Sequence, residues 1–163
     1  MSIFDEIWAC STNANRTAQQ QIADGDAVIS VYIGRGGDIN AKDRRGYSVL
    51  FTAASQGHAE GVKKLIVAGA DVDAQTNDGE TALRRAMGNG YRQIAKLLIE
   101  AEADTNLGWT DGKTALMRAT ERGWDEVVSL LRERAKSPPS PRVLTQQGKP
   151  GVHPHKKWWE FWR

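Results

Sequence analysis

Aliphatic residues recur along the middle of the chain in short stripes separated by glycine-marked polar turns. The segments VKKLIV, IAKLLI and VVSLLR place their apolar side chains at the spacing of one helix face, and each is too short to stand alone in water. Ahead of each lies a second short run rich in helix formers. Ser48, Thr81 and Thr114 stand just before those runs, where a side-chain oxygen caps the first helical N–H groups. Gly57, Gly90 and Gly123 follow them as left-handed helix stops. The pattern predicts pairs of short helices, each pair leaving an apolar stripe that only a neighbouring pair can cover.

The pairs are copies of one another. DRRGYSVLFTAASQGHAEGVKKLIVAGADVDAQ, TNDGETALRRAMGNGYRQIAKLLIEAEADTNLG and WTDGKTALMRATERGWDEVVSLLRERAK align without gaps, starting at Asp43, Thr76 and Trp109. Gly46, Gly79 and Gly112 are 33 apart, and Leu50/Leu83/Leu116 and Ala53/Ala86/Ala119 keep the same register. A partial copy, ADGDAVISVYIGRGGDINAK, aligns from Ala23 with its Gly25 32 residues before Gly57. A fixed period of this length is the mark of a stacked solenoid, in which at least three units share a continuous core.

These residues resemble the ankyrin repeat family, whose consensus joins a D-x-x-G-x-T-P-L-H-x-A-A-x-x-G-H helix to a second helix ending L-L-x-x-G-A-D-V-N-A. The resemblance runs from about residue 18 to 136 and implies an all-α ankyrin-repeat solenoid of stacked helix-turn-helix units with hairpin tips, the first of about four repeats degenerate. The consensus proline is replaced by Val49, Ala82 and Ala115, which removes a preset first-turn φ and no hydrogen bond. Gly69 and Gly37 end second helices, whereas Glu102 stands in the corresponding place of the next repeat, where a left-handed cap costs a non-glycine residue about 1 kcal/mol. The junction between the last two repeats is therefore expected to be irregular, with Trp109 at the turn or folded over it.

Stacks of this family bind other proteins through a concave surface of turn tips and first helices. Carried over by position, that surface comprises Arg44, Arg45 and Tyr47, then Asn77, Asp78 and Glu80, then Thr110, Asp111 and Lys113, with Ser55, Gln56, Asn89, Glu121 and Arg122 deeper on the same side. The tips pass from basic and aromatic to acidic, which suits a protein partner of mixed charge. Arginines also recur at Arg44/Arg45, Arg84/Arg85 and Arg118/Arg122, but Asp78, Glu80, Asp111 and Glu121 interleave with them, and this argues against nucleic acid, which requires a net positive footprint.

Charge and proline then divide the chain. Residues 1–136 hold 17 Lys and Arg against 19 Asp and Glu, while residues 137–163 hold 5 against 1 and all five prolines. The reading is a capping helix in residues 1–15, with Ile3, Phe4, Ile7 and Trp8 on one face, a repeat body in 16–136, a proline-rich disordered linker in 137–155 and an aromatic motif, KKWWEFWR, in 156–163. As a helix the motif gathers Trp158, Trp159, Phe161 and Trp162 on one face with Glu160 opposite. It suits a groove on another protein, a bilayer interface approached with Lys156, Lys157 and Arg163, or the stack itself.

No signal-like leader or membrane span is present, and Cys10 is single, so the expected location is cytoplasmic, with a membrane-peripheral alternative through the tail. No phosphate-binding loop, nucleophile elbow or zinc-binding motif occurs; His153 and His155 supply two ligands at most. The sequence thus reads as a non-catalytic adaptor without cofactor or metal. Its partner is another protein, bound by the repeat surface and held a second time by the tail.

Overall fold

The computed structural model describes residues 3, 4, 7, 18–107, 109 and 112–136, and for residues 18–24 the backbone alone. Among these residues the protein is helical, without strands. Helix α1 spans Ala18–Gly34; α2, Val49–Gln56; α3, Ala59–Val67; α4, Ala82–Asn89; α5, Arg92–Glu100; α6, Ala115–Glu121; and α7, Asp125–Lys136. Each of α2/α3, α4/α5 and α6/α7 is an antiparallel pair. The first helices α2, α4 and α6 pack on one another in sequence, and the second helices α1, α3, α5 and α7 do the same, giving two layers.

Local chemistry sets each pair. Phe51 N–H donates to Ser48 Oγ at 3.0 Å, Arg84 N–H to Thr81 Oγ1 at 3.3 Å, and Met117 N–H to Thr114 Oγ1 at 3.2 Å. Gly57, Gly90 and Gly123 end these helices at φ of 86°, 86° and 66°, so caps and stops fall where the sequence put them. The second helices end at Gly36 (φ 73°), Gly69 (φ 89°) and Glu102 (φ 64°). Glu102 is the lone non-glycine residue with positive φ among the described residues. In the earliest copy the left-handed residue is therefore Gly36 and not Gly37, which keeps the 33-residue spacing.

The alignment of Gly25 with Gly57 is also corrected. Gly25 lies inside the continuous helix α1 and is buried. It occupies the column of His58, Tyr91 and Trp124, each 33 residues after the last. The His58 ring, fully buried, lies directly on Gly25; a Cβ there would sit 2.1 Å from Cε1. Tyr91 covers Gly57 in the same manner, at 3.1 Å. Asp26 Oδ1 accepts from Gly61 N–H at 2.8 Å, which pins α1 to the start of α3.

The core runs between the layers through Ile29, Val49, Leu50, Leu65, Leu83, Met87, Ile94, Leu98, Val127 and Leu131. Ile7 is fully buried in the same core, with Ile3 and Phe4 packed against it. Ala53, Ala86 and Ala119 have no exposed surface, as close approach of the first helices demands. The Leu50/Leu83/Leu116 column shows the effect of stacking: the first two are 1 % exposed and Leu116 is 37 %, beside Met117 at 54 %.

Candidate arginine-lined interaction surface

Polar side chains join successive repeats on the tip side. The tips are tight turns in which Asp43 N–H donates to Tyr47 C=O and Thr76 N–H to Glu80 C=O. Asn77 ties one tip to the previous one: its N–H donates to Arg45 C=O and its Nδ2 to Arg44 C=O, both at 3.0 Å. The Arg44 and Arg45 side chains remain exposed. Tyr47 is half-buried, its ring 4.7 Å from that of Phe51. Asp78 is exposed on the second tip.

Of the deeper residues expected from the sequence, several are engaged in joining repeats. Asn89 Nδ2 donates to Ser55 C=O at 3.0 Å, and Arg122 Nη2 to Gly88 C=O at 2.8 Å with its guanidinium 5.4 Å from the Trp124 ring. Ser55 Oγ donates to Thr52 C=O. Gln56 is half-buried at the end of α2. Lys113 and Glu121 pair with each other at 2.8 Å in the last repeat. Thr110, Asp111 and the tail residues Trp158, Trp159, Phe161 and Trp162 lie outside the described residues.

The structure brings together three arginines that position-by-position transfer did not select. Arg84 and Arg85 on α4 and Arg118 on α6 surround a hollow with Glu80, Gly88 and Asn89. Glu80 engages both neighbours, Oε1 with Arg84 Nη1 and Oε2 with Arg85 Nη2. The Arg85 guanidinium lies 5.5 Å from the Phe51 ring centre, and that of Arg118 lies 5.7 Å from Trp109. Trp109 is half-buried over its turn, and its Nε1–H donates to Thr105 C=O at 2.8 Å. The available signal was the 33-residue spacing of Arg85 and Arg118, which puts the same side chain on the same face of adjacent helices.

On the second-helix layer the charges are structural in character. Lys96 and Arg92 of α5 both reach Glu126 of α7. The hydrogen bond from Lys96 holds the Glu126 carboxyl below the usual carboxylate range, and the same bond raises Lys96 above its ordinary value. His58 lies 4.0 Å from Asp26, sealed in the core between α1 and α3. Among the described residues no three His, Cys, Asp or Glu side chains converge as metal ligands, and no helix is long and apolar enough to cross a membrane.

No curated protein matches the sequence. A family model of ankyrin repeats matches residues 7–108 in three copies, more than half of the chain, and the α6/α7 pair beyond that match repeats the same capped unit. Ankyrin repeats are in general protein–protein interaction modules and typically non-catalytic. With its 33-residue period, two helical layers and matching family model, this chain belongs to the ankyrin repeat family.

Proposed function

We propose that the protein is a non-catalytic adaptor that binds another protein through the concave side formed by its tips and first helices. The observation that carries this reading is the contrast between the two layers of one ankyrin stack. Near the first helices, Tyr47 packs on Phe51 of its own repeat, Arg85 on Phe51 of the preceding repeat and Trp109 against Arg118 of its own repeat, each while retaining accessible surface. Side chains fixed before contact lose little entropy on binding, which favours a recognition surface. Residues 1–15 cap the opposite end of the core, a reading supported by burial of Ile7.

KKWWEFWR then makes a second attachment, joined to the stack by residues 137–155, so that engagement of one element raises the local concentration of the other. Affinity capture with the full chain, a chain ending at Ser137 and an R44E/R45E variant tests this. The expected result is a partner lost from R44E/R45E with the helical signal intact, and weakened by removal of the tail. A partner retained by R44E/R45E with unchanged affinity refutes the assigned tip surface.

The alternative is a peripheral membrane protein, favoured by Trp158, Trp159 and Trp162 beside Lys156, Lys157 and Arg163. Tail-dependent sedimentation with anionic vesicles supports it, and equal sedimentation of the chain ending at Ser137 removes it.

A further inference from the structure

We infer that the outer face of the last repeat, built on Leu116, Met117 and Thr120 of α6, is a docking surface for the aromatic segment of this same chain, KKWWEFWR. This goes beyond the adaptor reading, in which the tail engages a partner: it gives the tail a site on its own stack, from which a partner must draw it.

Comparison of equivalent positions defines the face. Leu50 and Leu83 are buried, whereas Leu116 is 37 % exposed. Met117 stands in the column of the buried Phe51 and is 54 % exposed; Thr120 stands in the column of Ala54 and Met87, both buried, and is exposed. Among the described residues, α6 therefore leaves open the strip that in α2 and α4 receives the next first helix. Its hydrogen-bonding groups are already engaged: Thr120 Oγ1 donates to Leu116 C=O at 2.8 Å, and Thr114 Oγ1 accepts from Met117 N–H. What remains is methyl groups and a thioether, and the end of a repeat stack requires a cover.

Position and chemistry select the tail as that cover. Helices α6 and α7 are antiparallel, so α7 delivers the chain at Lys136 to the end of the pair at which α6 starts. With a rise of 1.5 Å per residue and neighbouring axes about 10 Å apart, all of α6 lies within about 15 Å of that point. The 21 residues from Ser137 to Lys157 can span about 65 Å at the polyproline rise. So short a tether gives a local concentration on the order of 1 mM, enough to hold a contact too weak for a free peptide. Trp158, Trp159, Phe161 and Trp162 supply rings, which pair well with the Met117 sulfur, and Arg132, exposed in the column of Ile66 and Ile99, adds a guanidinium for an indole face. A second copy would bring only an identical strip, with far less apolar surface than four aromatic rings. Residues ahead of the repeats are used in the same way, Ile7 being fully buried with Ile3 and Phe4 packed on the core.

The full chain and a full-length W158A/W159A/F161A/W162A variant, labelled in their methionine methyl groups, test this by NMR. Packing on indole rings moves a methyl signal upfield. The Met117 signal, assigned with M117L, is expected upfield in the parent chain and should move downfield in the variant, while that of Met87, in the core, stays in place. Dilution should leave the parent spectrum unchanged, as a contact within one chain requires. In a second measurement, L116E/M117E should raise acrylamide quenching of tryptophan fluorescence in the full chain, with no such rise when the four tail aromatics are already alanine. Far-ultraviolet circular dichroism confirms the fold of each variant.

A Met117 signal that is the same in both chains overturns the proposal, as does quenching that L116E/M117E leaves unchanged in a folded chain. A Met117 shift that fades on dilution, together with a falling molar mass, gives the face to a second copy instead. The adaptor reading stands or falls separately, on partner capture by R44E/R45E, whose side chains belong to an earlier repeat.

Discussion

Gly25→Ala sets two effects of opposite sign against each other. Within a helix, alanine is favoured over glycine by about 1 kcal/mol, so propensity alone predicts a more stable protein. The added Cβ, however, would lie 2.1, 2.3 and 2.7 Å from Cε1, Nε2 and Nδ1 of His58, against ordinary contacts beginning at 3.4 Å. The ring must therefore retreat by more than an ångström, and it is fully buried, so it has no solvent-facing space to take. Overpacking of this kind costs about 3 kcal/mol, the upper part of its usual range. The net expectation is destabilisation by about 2 kcal/mol, a fall in melting temperature on the order of 5–10 °C.

His58→Ala supplies the control. Removing the ring costs roughly 2–4 kcal/mol in lost packing, but it also clears the space over Gly25. In that background Gly25→Ala should stabilise by up to about 1 kcal/mol, giving a coupling of about 3 kcal/mol between the two sites. Urea unfolding of the four chains, followed by far-ultraviolet circular dichroism, measures the cycle. A Gly25→Ala effect of the same sign and size in both backgrounds would refute the account of helix α1 packing on His58.

Glu102→Gly should stabilise the protein by about 0.5–1 kcal/mol in urea unfolding, since it relieves a non-glycine residue at φ 64° where the earlier repeats have Gly36 and Gly69; a loss of stability would contradict it. Ser48→Ala and Thr81→Ala should each cost about 1 kcal/mol by loss of a buried cap, and Thr114→Ala, in the exposed last repeat, about half of that. Glu126→Gln should lower the melting temperature near neutral pH. Because Glu126 titrates below the usual carboxylate range when folded, its contribution is present above about pH 5 and is lost as pH falls through the folded value. Lys96, raised by the same bond, contributes until the pH rises through its own folded value. The difference between the parent chain and Glu126→Gln should thus shrink as pH falls through the folded value, and a gap that stays constant through the acid range contradicts the assignment.

Much of this architecture was legible without coordinates because its signals are local and repeated. Ser48, Thr81 and Thr114 act on N–H groups three residues away, and Gly57 and Gly90 act on the turn that they end. A local feature copied at a fixed interval reports its structure wherever it recurs, and even the exception at Glu102 could be read from its place in the column. The division of the surface into tips and first helices was implied by the resemblance to ankyrin repeats.

What the period could not decide was which side chain of one repeat meets which atom of the next. The earliest copy carries a continuous helix, and only its packing on α3 shows that Gly25 lies under His58 and that Gly36 supplies the left-handed turn. The use of Asn77, Asn89 and Arg122 to join repeats was hidden for the same reason: their partners lie about one repeat away in the chain. The repeat, its caps and its turns are written in the chain, because each depends on residues within a few positions. Tertiary structure decided the burial of His58 and the convergence of Arg84, Arg85 and Arg118, because stacking alone brings residues of separate repeats within bonding distance.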